Sequence, residues 1–263
     1  MINFNKIVQR LGTKGGKVIF KEDIFDIIDP EKKPEYASKV DKYIYQLKAS
    51  GVIINLKSGV YIVPDEQDKK LNKIDLIDKY YMKLLKKYIT SHVGSMYYIS
   101  GRKALEIHMK NLEIADKIFI VNRSINKKIK IGNLEIIFKT LSGNDSQGKK
   151  INLFSRFQNY TITKTVDDIE FKISNLELSL LESALVNDIE SGIPIDLLNK
   201  SIKKYGAIMN KDTFNEIAKY KYVMSFNRLK ELSKPINTDL YKLFLDIIKK
   251  NGGLFIGEGV RGL

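Results

Sequence analysis

Apolar residues in the first 64 positions follow helical and extended spacings in turn. The pattern predicts a helix, a strand, two helices and a two-stranded hairpin, in the order 4–11, 18–20, 22–28, 35–50, 52–56 and 60–63. Lys57-Ser58-Gly59 forms the predicted hairpin turn, and Pro64 ends the hairpin. This order is typical of a winged helix-turn-helix domain.

The third predicted helix, 35–50, has the clearest apolar stripe. Ala37, Val40, Ile44 and Leu47 recur at intervals of three and four residues, so they lie on one side of a helix and are expected to face a core. Gly51 is expected to end this helix. The opposite side then carries hydroxyl, amide and basic groups.

Beyond this domain the chain predicts a short linker and a second domain. Residues 65–70 are charged and have no expected core residue, which favours a linker. The second domain, 71–263, divides into a part with sheet, 71–174, and a helical part, 175–263. The predicted fold class is therefore α+β: an N-terminal winged helix-turn-helix, then a mixed domain with a small antiparallel sheet and a helical C-terminal part.

The part with sheet is expected to open with a helix over 71–88 and to contain two hairpins. The apolar side of that helix consists of Ile74, Ile77, Tyr81, Leu84 and Tyr88. Strand 97–99 leads to Ser100, a predicted helix N-cap. One hairpin turns at Gly132-Asn133 and the other near Asp167-Asp168.

Helix starts in the C-terminal part are predicted from capping-box spacings. These are Ser174 with Glu177 and Thr213 with Glu216. Pro194 fits the first turn of another helix, which would end at Gly206. Residues 236–263 carry no pattern with an assigned role.

Charge is concentrated in the middle of the 263-residue chain. The formal net charge is +14, of which 1–70 hold +3, 71–174 hold +9 and 175–263 hold +2. A basic module can contact nucleic acid phosphates or an acidic protein, and it can also be a solvated surface rich in lysine. These three interpretations remain open for the middle module.

The absence of cysteine excludes several kinds of chemistry. With no Cys in the sequence, disulfides, thiolate zinc sites, iron–sulfur clusters and cysteine nucleophiles are ruled out. The first residues lack the pattern of a signal peptide, and no apolar run approaches about 18 residues. We expect a soluble cytoplasmic protein without membrane contact.

The motifs that could indicate a nucleotide or metal site are weak. The run Gly12 to Val18 resembles a phosphate loop, but it has three residues between its glycines where a Walker motif has four, and Val18 follows the lysine. A flexible turn is the preferred interpretation. His92 and His108 are too far apart for a helical metal pair, and both are expected to be structural histidines.

Acidic residues also fail to form a convincing active site. Asp167, Asp168 and Glu170 could bind magnesium, but they sit where a hairpin must turn, and Asp favours turns. Gly94-Ser95 resembles the start of a nucleotidyltransferase site, which requires two carboxylates about ten residues later; only Glu106 is there. We expect no enzyme activity, catalytic residue, metal or cofactor.

The exposed side of helix 35–50 is the candidate site, and its expected partner is double-stranded DNA. The helix fits a major groove, its polar side chains can read bases or bind phosphates, and the hairpin tip can reach a neighbouring phosphate. The predicted DNA-binding residues are Ser38, Lys39, Lys42, Tyr45, Gln46, Lys57 and Ser58, with additional phosphate contacts from Lys79, Lys83 and Lys86.

Three segments resemble one bacterial family. Residues 47–64, with Gly51, Gly59, Tyr61 and Pro64, are similar to the winged-helix ending of AbiEi-type antitoxins. Residues 98–105 resemble the segment that opens the second domain of that family, and 226–232 resemble a helix near its end. The resemblance covers about 1–235.

The resemblance implies an antitoxin of a type IV toxin–antitoxin system of phage defence, encoded beside a nucleotidyltransferase toxin. The N-terminal domain would repress its own operon by binding inverted repeats, and the C-terminal domain would neutralise the toxin. An alternative is an interaction module that holds the toxin directly without sequence-specific DNA binding. A magnesium-dependent nuclease using Asp167, Asp168 and Glu170 is a remote third interpretation.

Overall fold

The computed structural model describes residues 3–13, 15–31, 33–111, 117–144, 149–185, 195–220 and 222–252. These residues form a mixed α+β protein with three β-sheets. They fall into two compact units. The first lies within Met1–His92 and Ile131–Asn133, and the second within Val93–Lys130 and Leu134–Leu263.

The first unit contains a three-stranded antiparallel sheet in the order β1-β3-β2. Its elements are α1 (Phe4–Gly12), β1 (Lys17–Phe20), α2 (Lys21–Ile28), α3 (Ala37–Ala49), β2 (Ile54–Lys57), β3 (Val60–Val63), α4 (Lys73–Lys79) and α5 (Tyr81–Val93). The predicted order of helix, strand, two helices and hairpin is confirmed.

The first three helices and the sheet share one apolar core. Ile7 on α1, Ile24 on α2 and Ile44 on α3 are buried together with Ile19 and Tyr61 of the sheet. Burial of such side chains contributes about 1.5–3 kcal/mol each, and it fixes which side of each helix faces outward.

The start of α3 differs from the predicted helix. Pro34–Tyr36 form a single 3₁₀ turn, and the α-helix begins at Ala37. Val40, Ile44 and Leu47 are buried as predicted, but Ala37 is exposed. Ala37 is the first residue of the α-helix, so the buried stripe begins at Val40, one turn later than the sequence pattern indicated.

The helix predicted over 71–88 is two helices. The backbone leaves helical geometry at Tyr80, where α4 ends and α5 follows. Ile74 is 68% exposed, so it does not belong to the apolar side. The other predicted core residues of this segment are buried: Ile77, Tyr81, Leu84 and Tyr88.

The first unit also extends past the predicted linker. Residues 65–70 are not a polar connection alone, because Asp68 is completely buried in a 3₁₀ turn, Asp68–Lys70. The unit continues to His92 and so includes α4 and most of α5.

The second unit is built on a six-stranded mixed sheet and many helices. Its elements are β4 (Tyr97–Ser100), α6 (Gly101–Met109), β5 (Lys117–Asn122), β6 (Lys127–Ile131), β7 (Leu134–Thr140), β8 (Ser142–Asn144), β9 (Lys150–Asn152), α7 (Phe154–Phe157), β10 (Thr161–Val166), β11 (Ile169–Ser174), α8 (Leu176–Ser183), α9 (Ile195–Tyr205), α10 (Lys211–Ala218), α11 (Val223–Ser233) and α12 (Thr238–Lys250).

The expectation of a small antiparallel sheet was wrong. The strand order is β10-β11-β4-β5-β7-β6, with parallel pairs β11–β4 and β5–β7. Both predicted hairpins are present, and the Asp167-Asp168 turn has the positive φ angles, 48° and 59°, that a two-residue hairpin requires. β5, which the sequence pattern did not predict, pairs with both β4 and β7 and joins the two hairpins into one sheet.

Helices of the second unit pack around a cluster of three phenylalanines. Phe214, Phe226 and Phe244 are buried, and the ring centroids of Phe214 and Phe244 are 5.1 Å apart in an edge-to-face arrangement. Such pairs add about 0.5–1.5 kcal/mol beyond the area they bury. This core explains the apolar pattern of 214–248.

Asparagine caps replace the predicted capping boxes. Asn175, not Ser174, caps α8 by accepting the Leu178 N–H at 2.9 Å. Asn210, not Thr213, caps α10. α9 ends just before Gly206 as predicted, whereas Pro194 lies outside the described residues.

The start of α6 also differs from its predicted cap. Ser100 stands at the N-cap position but its side chain makes no capping bond. Glu182 of α8 instead accepts the Gly101 N–H at 2.9 Å and the Tyr98 hydroxyl at 3.1 Å. A carboxylate from a distant helix therefore satisfies this helix end.

A partly buried histidine makes the second unit sensitive to acid. The His108 Nε2–H donates to the Ser174 carbonyl oxygen at 2.9 Å. Burial lowers the pKa of His108. The hydrogen bond to Ser174 and the charge of Glu177 raise this pKa, the charge of Lys164 lowers it, and the net pKa lies below its ordinary value. The unfolded chain then binds a proton more readily than the folded chain does.

We expect the second unit to lose stability as the pH falls below about 6.5 toward the folded pKa of His108. For each pKa unit by which the folded value lies below the unfolded value, His108 contributes about 1.4 kcal/mol to the free energy of unfolding. This contribution is present above about pH 6.5 and is lost below the folded pKa. Urea unfolding between pH 7.5 and 5 measures it. His108→Gln should flatten this part of the profile, and an equally steep profile in that variant would contradict the assignment.

Candidate nucleic-acid interface

Helix α3 is fixed in place at both its inner side and its C-terminal end. Val40, Ile44 and Leu47 pack inward. At its end the Ser50 N–H and the Ser50 hydroxyl both donate to the Gln46 carbonyl oxygen at 2.9 Å. Gly51 follows with φ of +69°, a left-handed conformation that glycine adopts without strain.

The outer side of α3 presents most of the predicted DNA-binding groups to solvent. Ser38, Lys42, Tyr45 and Gln46 are exposed, with Tyr45 at 70%. Lys39 is half-buried, and its ammonium lies 5.9 Å from the centroid of the Tyr43 ring. The predicted division of α3 into a buried and an exposed side is thus seen at these residues.

An acidic residue also lies on α3, and sequence reasoning did not consider it. The Asp41 carboxylate is 2.6 Å from the Lys21 ammonium at the start of α2. Both side chains are substantially exposed, so this pair contributes at most about 1 kcal/mol to stability. Its main effect is electrostatic: Lys21 offsets the negative charge that Asp41 would otherwise place beside Lys42.

The turn between β2 and β3 carries the other two predicted residues. Lys57 and Ser58 are exposed. Gly59, with φ of +76°, closes the turn, and its carbonyl oxygen accepts the Lys21 N–H at 2.9 Å. This bond ties the turn to the start of α2 and so fixes the turn within the same unit as α3.

A buried carboxylate organises the segment after β3. Asp68 accepts hydrogen bonds from the Tyr80 hydroxyl, the Lys79 ammonium at 2.6 Å and the Asp65 N–H at 2.8 Å. Burial raises the pKa of Asp68, but the hydrogen bonds from Lys79 and Tyr80 outweigh it and leave the pKa below its ordinary value. Burial and the same carboxylate raise the pKa of Tyr80.

Two of the lysines predicted as additional phosphate contacts are engaged around Tyr80. Lys79 pairs with Asp68 and Asp65, and the Lys83 ammonium donates to the Gly16 carbonyl oxygen at 2.7 Å. Both ammonium groups lie over the Tyr80 ring, at 5.6 and 5.2 Å from its centroid. Lys86 is half-buried. A phosphate contact by Lys79 would remove a cation from the buried Asp68 carboxylate.

The acidic residues considered as catalytic or metal-binding candidates form ion pairs or a hairpin turn. Glu106 is buried, with its two oxygens 2.6 Å from Arg102 Nε and 3.2 Å from Lys103 Nζ. Asp167 and Asp168 form the β10–β11 turn. Within the described ranges, no group of three His, Asp or Glu is placed to hold a metal ion. Lys14 of the run from Gly12 to Val18 lies outside those ranges.

No protein-family model and no curated protein sequence matches this chain. A solved structure does: the RV2827C protein from Mycobacterium tuberculosis is similar with a TM-score of 0.57 and 13% sequence identity. The similarity covers 92% of this chain and 80% of that chain. The two share a fold. At this identity the similarity extends to architecture and not to activity.

Among the described residues, none of the helices combines the length and the apolar character needed to cross a membrane.

Proposed function

We propose that this protein is a DNA-binding transcriptional autorepressor and antitoxin, and that its first unit is a winged helix-turn-helix. The observation that carries the proposal is the outer side of α3, where Ser38, Lys42, Tyr45 and Gln46 are exposed together above a buried stripe. The element order of the first unit and its three-stranded antiparallel sheet support the same domain type.

In this proposal α3 enters the major groove of the operator. Its 13 residues span about 20 Å, and a major groove about 12 Å wide admits one helix. Ser38, Tyr45 and Gln46 would touch base edges. Lys39 and Lys42 would bind phosphates, and the β2–β3 turn, through Lys57 and Ser58, would reach the flanking backbone.

The antitoxin role rests on the resemblance of 47–64, 98–105 and 226–232 to AbiEi-type antitoxins. The second unit would neutralise a nucleotidyltransferase toxin encoded by the neighbouring gene. Nothing in this role requires catalysis by the chain itself.

Direct binding of the toxin without operator recognition is the second candidate. It is favoured by exposed apolar side chains on the second unit, Ile208 at 75% and Met224 at 60%, because such side chains commonly anchor protein partners. Co-purification with the toxin, together with no mobility shift of upstream DNA at low salt, would support this candidate over the first.

Lys42→Ala should reduce the salt dependence of binding to upstream DNA. One lost phosphate contact lowers the slope of log K against log salt by about one. Fluorescence anisotropy titrations at salt concentrations from about 50 to about 300 mM measure the slope. Lys6→Ala is the matched control, since Lys6 is an exposed lysine on α1. Equal slopes for the Lys42→Ala variant and the unmodified chain would remove Lys42 from the interface.

A further inference from the structure

A second basic surface lies on the sheet of the second unit and contains none of the residues assigned to DNA above. Residues 117–150 hold eight Lys or Arg and two Asp or Glu, a net charge of +6 out of +14 for the chain. Of the described residues in this stretch, Glu135 is the one acidic residue, and it is 2.9 Å from Lys128. This stretch therefore accounts for much of the positive field of the middle module.

Strand alternation places four of these lysines on one side of the sheet. Along β6, Ile129 and Ile131 are buried while Lys128 and Lys130 are exposed toward the other side. In the parallel pair β5–β7, Lys117 is in register with Glu135, and Lys139 is in register with Val121, four residues after Lys117 and so on the same side. Lys128 of β6 contacts Glu135, which places the β6 lysines on this side too. We call Lys117, Lys128, Lys130 and Lys139 the lysine face.

Protection of an edge strand does not explain the whole lysine face. β6 is the edge of the sheet, where lysine commonly prevents pairing with another chain, and this accounts for Lys128 and Lys130. Lys117 and Lys139, however, lie on the interior strands β5 and β7. The Lys139 ammonium is held 4.3 Å from the centroid of the Phe119 ring, which positions its charge over the sheet.

The composition of the lysine face distinguishes between two kinds of acidic partner. A protein interface normally has exposed aromatic or apolar anchors at its centre. Among the described residues of 117–150, none is an exposed large apolar side chain, and Phe119 is half-buried. The phosphate backbone of DNA presents regular negative charge and needs no apolar anchor.

We infer that the lysine face binds the phosphate backbone of duplex DNA independently of base sequence. The face goes beyond the proposed function, since it does not require α3 to read an operator. It supplies affinity that falls steeply with salt and does not discriminate between sequences.

The test uses the full chain and a duplex of about 30 base pairs unrelated to the upstream DNA. In the triple variant Lys117→Gln, Lys128→Gln, Lys130→Gln, the slope of log K against log salt is expected to fall by about 2 to 3, because each phosphate contact contributes about 0.9. The single variant Lys117→Gln should lower it by about 0.9.

The matched control removes the same charge from the same unit: Lys200→Gln, Lys203→Gln, Lys211→Gln, three exposed lysines on α9 and α10. Its slope should change by less than about one. Equal changes in both triple variants, or no change in the first, would overturn the assignment. Displacement of the duplex by poly-L-glutamate as effectively as by DNA of equal charge would also overturn it in favour of an acidic protein.

Failure of the proposed function has a different signature. If α3 does not read an operator, upstream and unrelated duplexes bind equally, while the difference between the two triple variants persists. If the lysine face does not bind DNA, that difference disappears while any preference for upstream DNA remains.

Discussion

Gln46→Ala is expected to weaken binding to upstream DNA by about 1–3 kcal/mol, or about 5- to 150-fold, and to leave binding to an unrelated duplex nearly unchanged. Gln46 is exposed on α3 one turn from Lys42, and a glutamine amide can form two hydrogen bonds with one adenine. Because an amide carries no charge, its loss should reduce selectivity without altering the salt slope.

The control for this prediction is Gln9→Ala, which removes an exposed glutamine from α1. Competition anisotropy with upstream and unrelated duplexes gives the selectivity of each variant. Unaltered selectivity in Gln46→Ala would take Gln46 out of base recognition, and an equal loss in Gln9→Ala would show that the effect is not specific to α3.

Asp68→Ala is expected to reduce the stability of the first unit by about 3 kcal/mol. The buried carboxylate accepts from Tyr80, Lys79 and Asp65, so its removal leaves the buried Tyr80 hydroxyl without this acceptor. Losing hydrogen bonds to a buried charged group commonly costs several kcal/mol. Hydrogen exchange of the α4 and α5 amides reports the local opening free energy.

Glu66→Ala provides the comparison, because Glu66 is an exposed carboxylate paired with Lys69 in the same segment. Its loss should cost less than about 1 kcal/mol. The pKa of Asp68 lies below its unfolded value, so its contribution is complete above about pH 4 and is lost as the pH falls through the folded pKa. Similar losses in the two variants at neutral pH would contradict the role given to Asp68.

Local patterns in the sequence predicted the helices and strands of residues 1–64 well. The burial of Val40, Ile44 and Leu47 follows from helical spacing alone, and that spacing also determines that Lys42 and Gln46 point outward. The predicted burial of Ala37 was wrong, since Ala37 is the first residue of α3 and helical spacing alone does not determine how far a core extends toward a helix end.

Features that depend on distant residues were not predictable in this way. The Tyr80 hydroxyl donates to Asp68, twelve residues away, and the start of α6 uses Glu182, 81 residues from Gly101. The mixed sheet requires parallel pairing of β5 with β7, which no two-residue turn signals. The alternation of lysine and isoleucine along β6 indicates the β6 part of the lysine face from sequence alone. The places of Lys117 and Lys139 in that face depend on the register of β5 with β7.

The hydrogen bonds of Asp68 limit where the chain can be cut. A fragment ending at 70 would keep the carboxylate but lose Lys79 and Tyr80, its two side-chain donors. The Asp68 carboxylate would then lack both the Lys79 ammonium and the Tyr80 hydroxyl. Anyone isolating the N-terminal half for crystallisation or spectroscopy should therefore retain the chain through α4 and the body of α5.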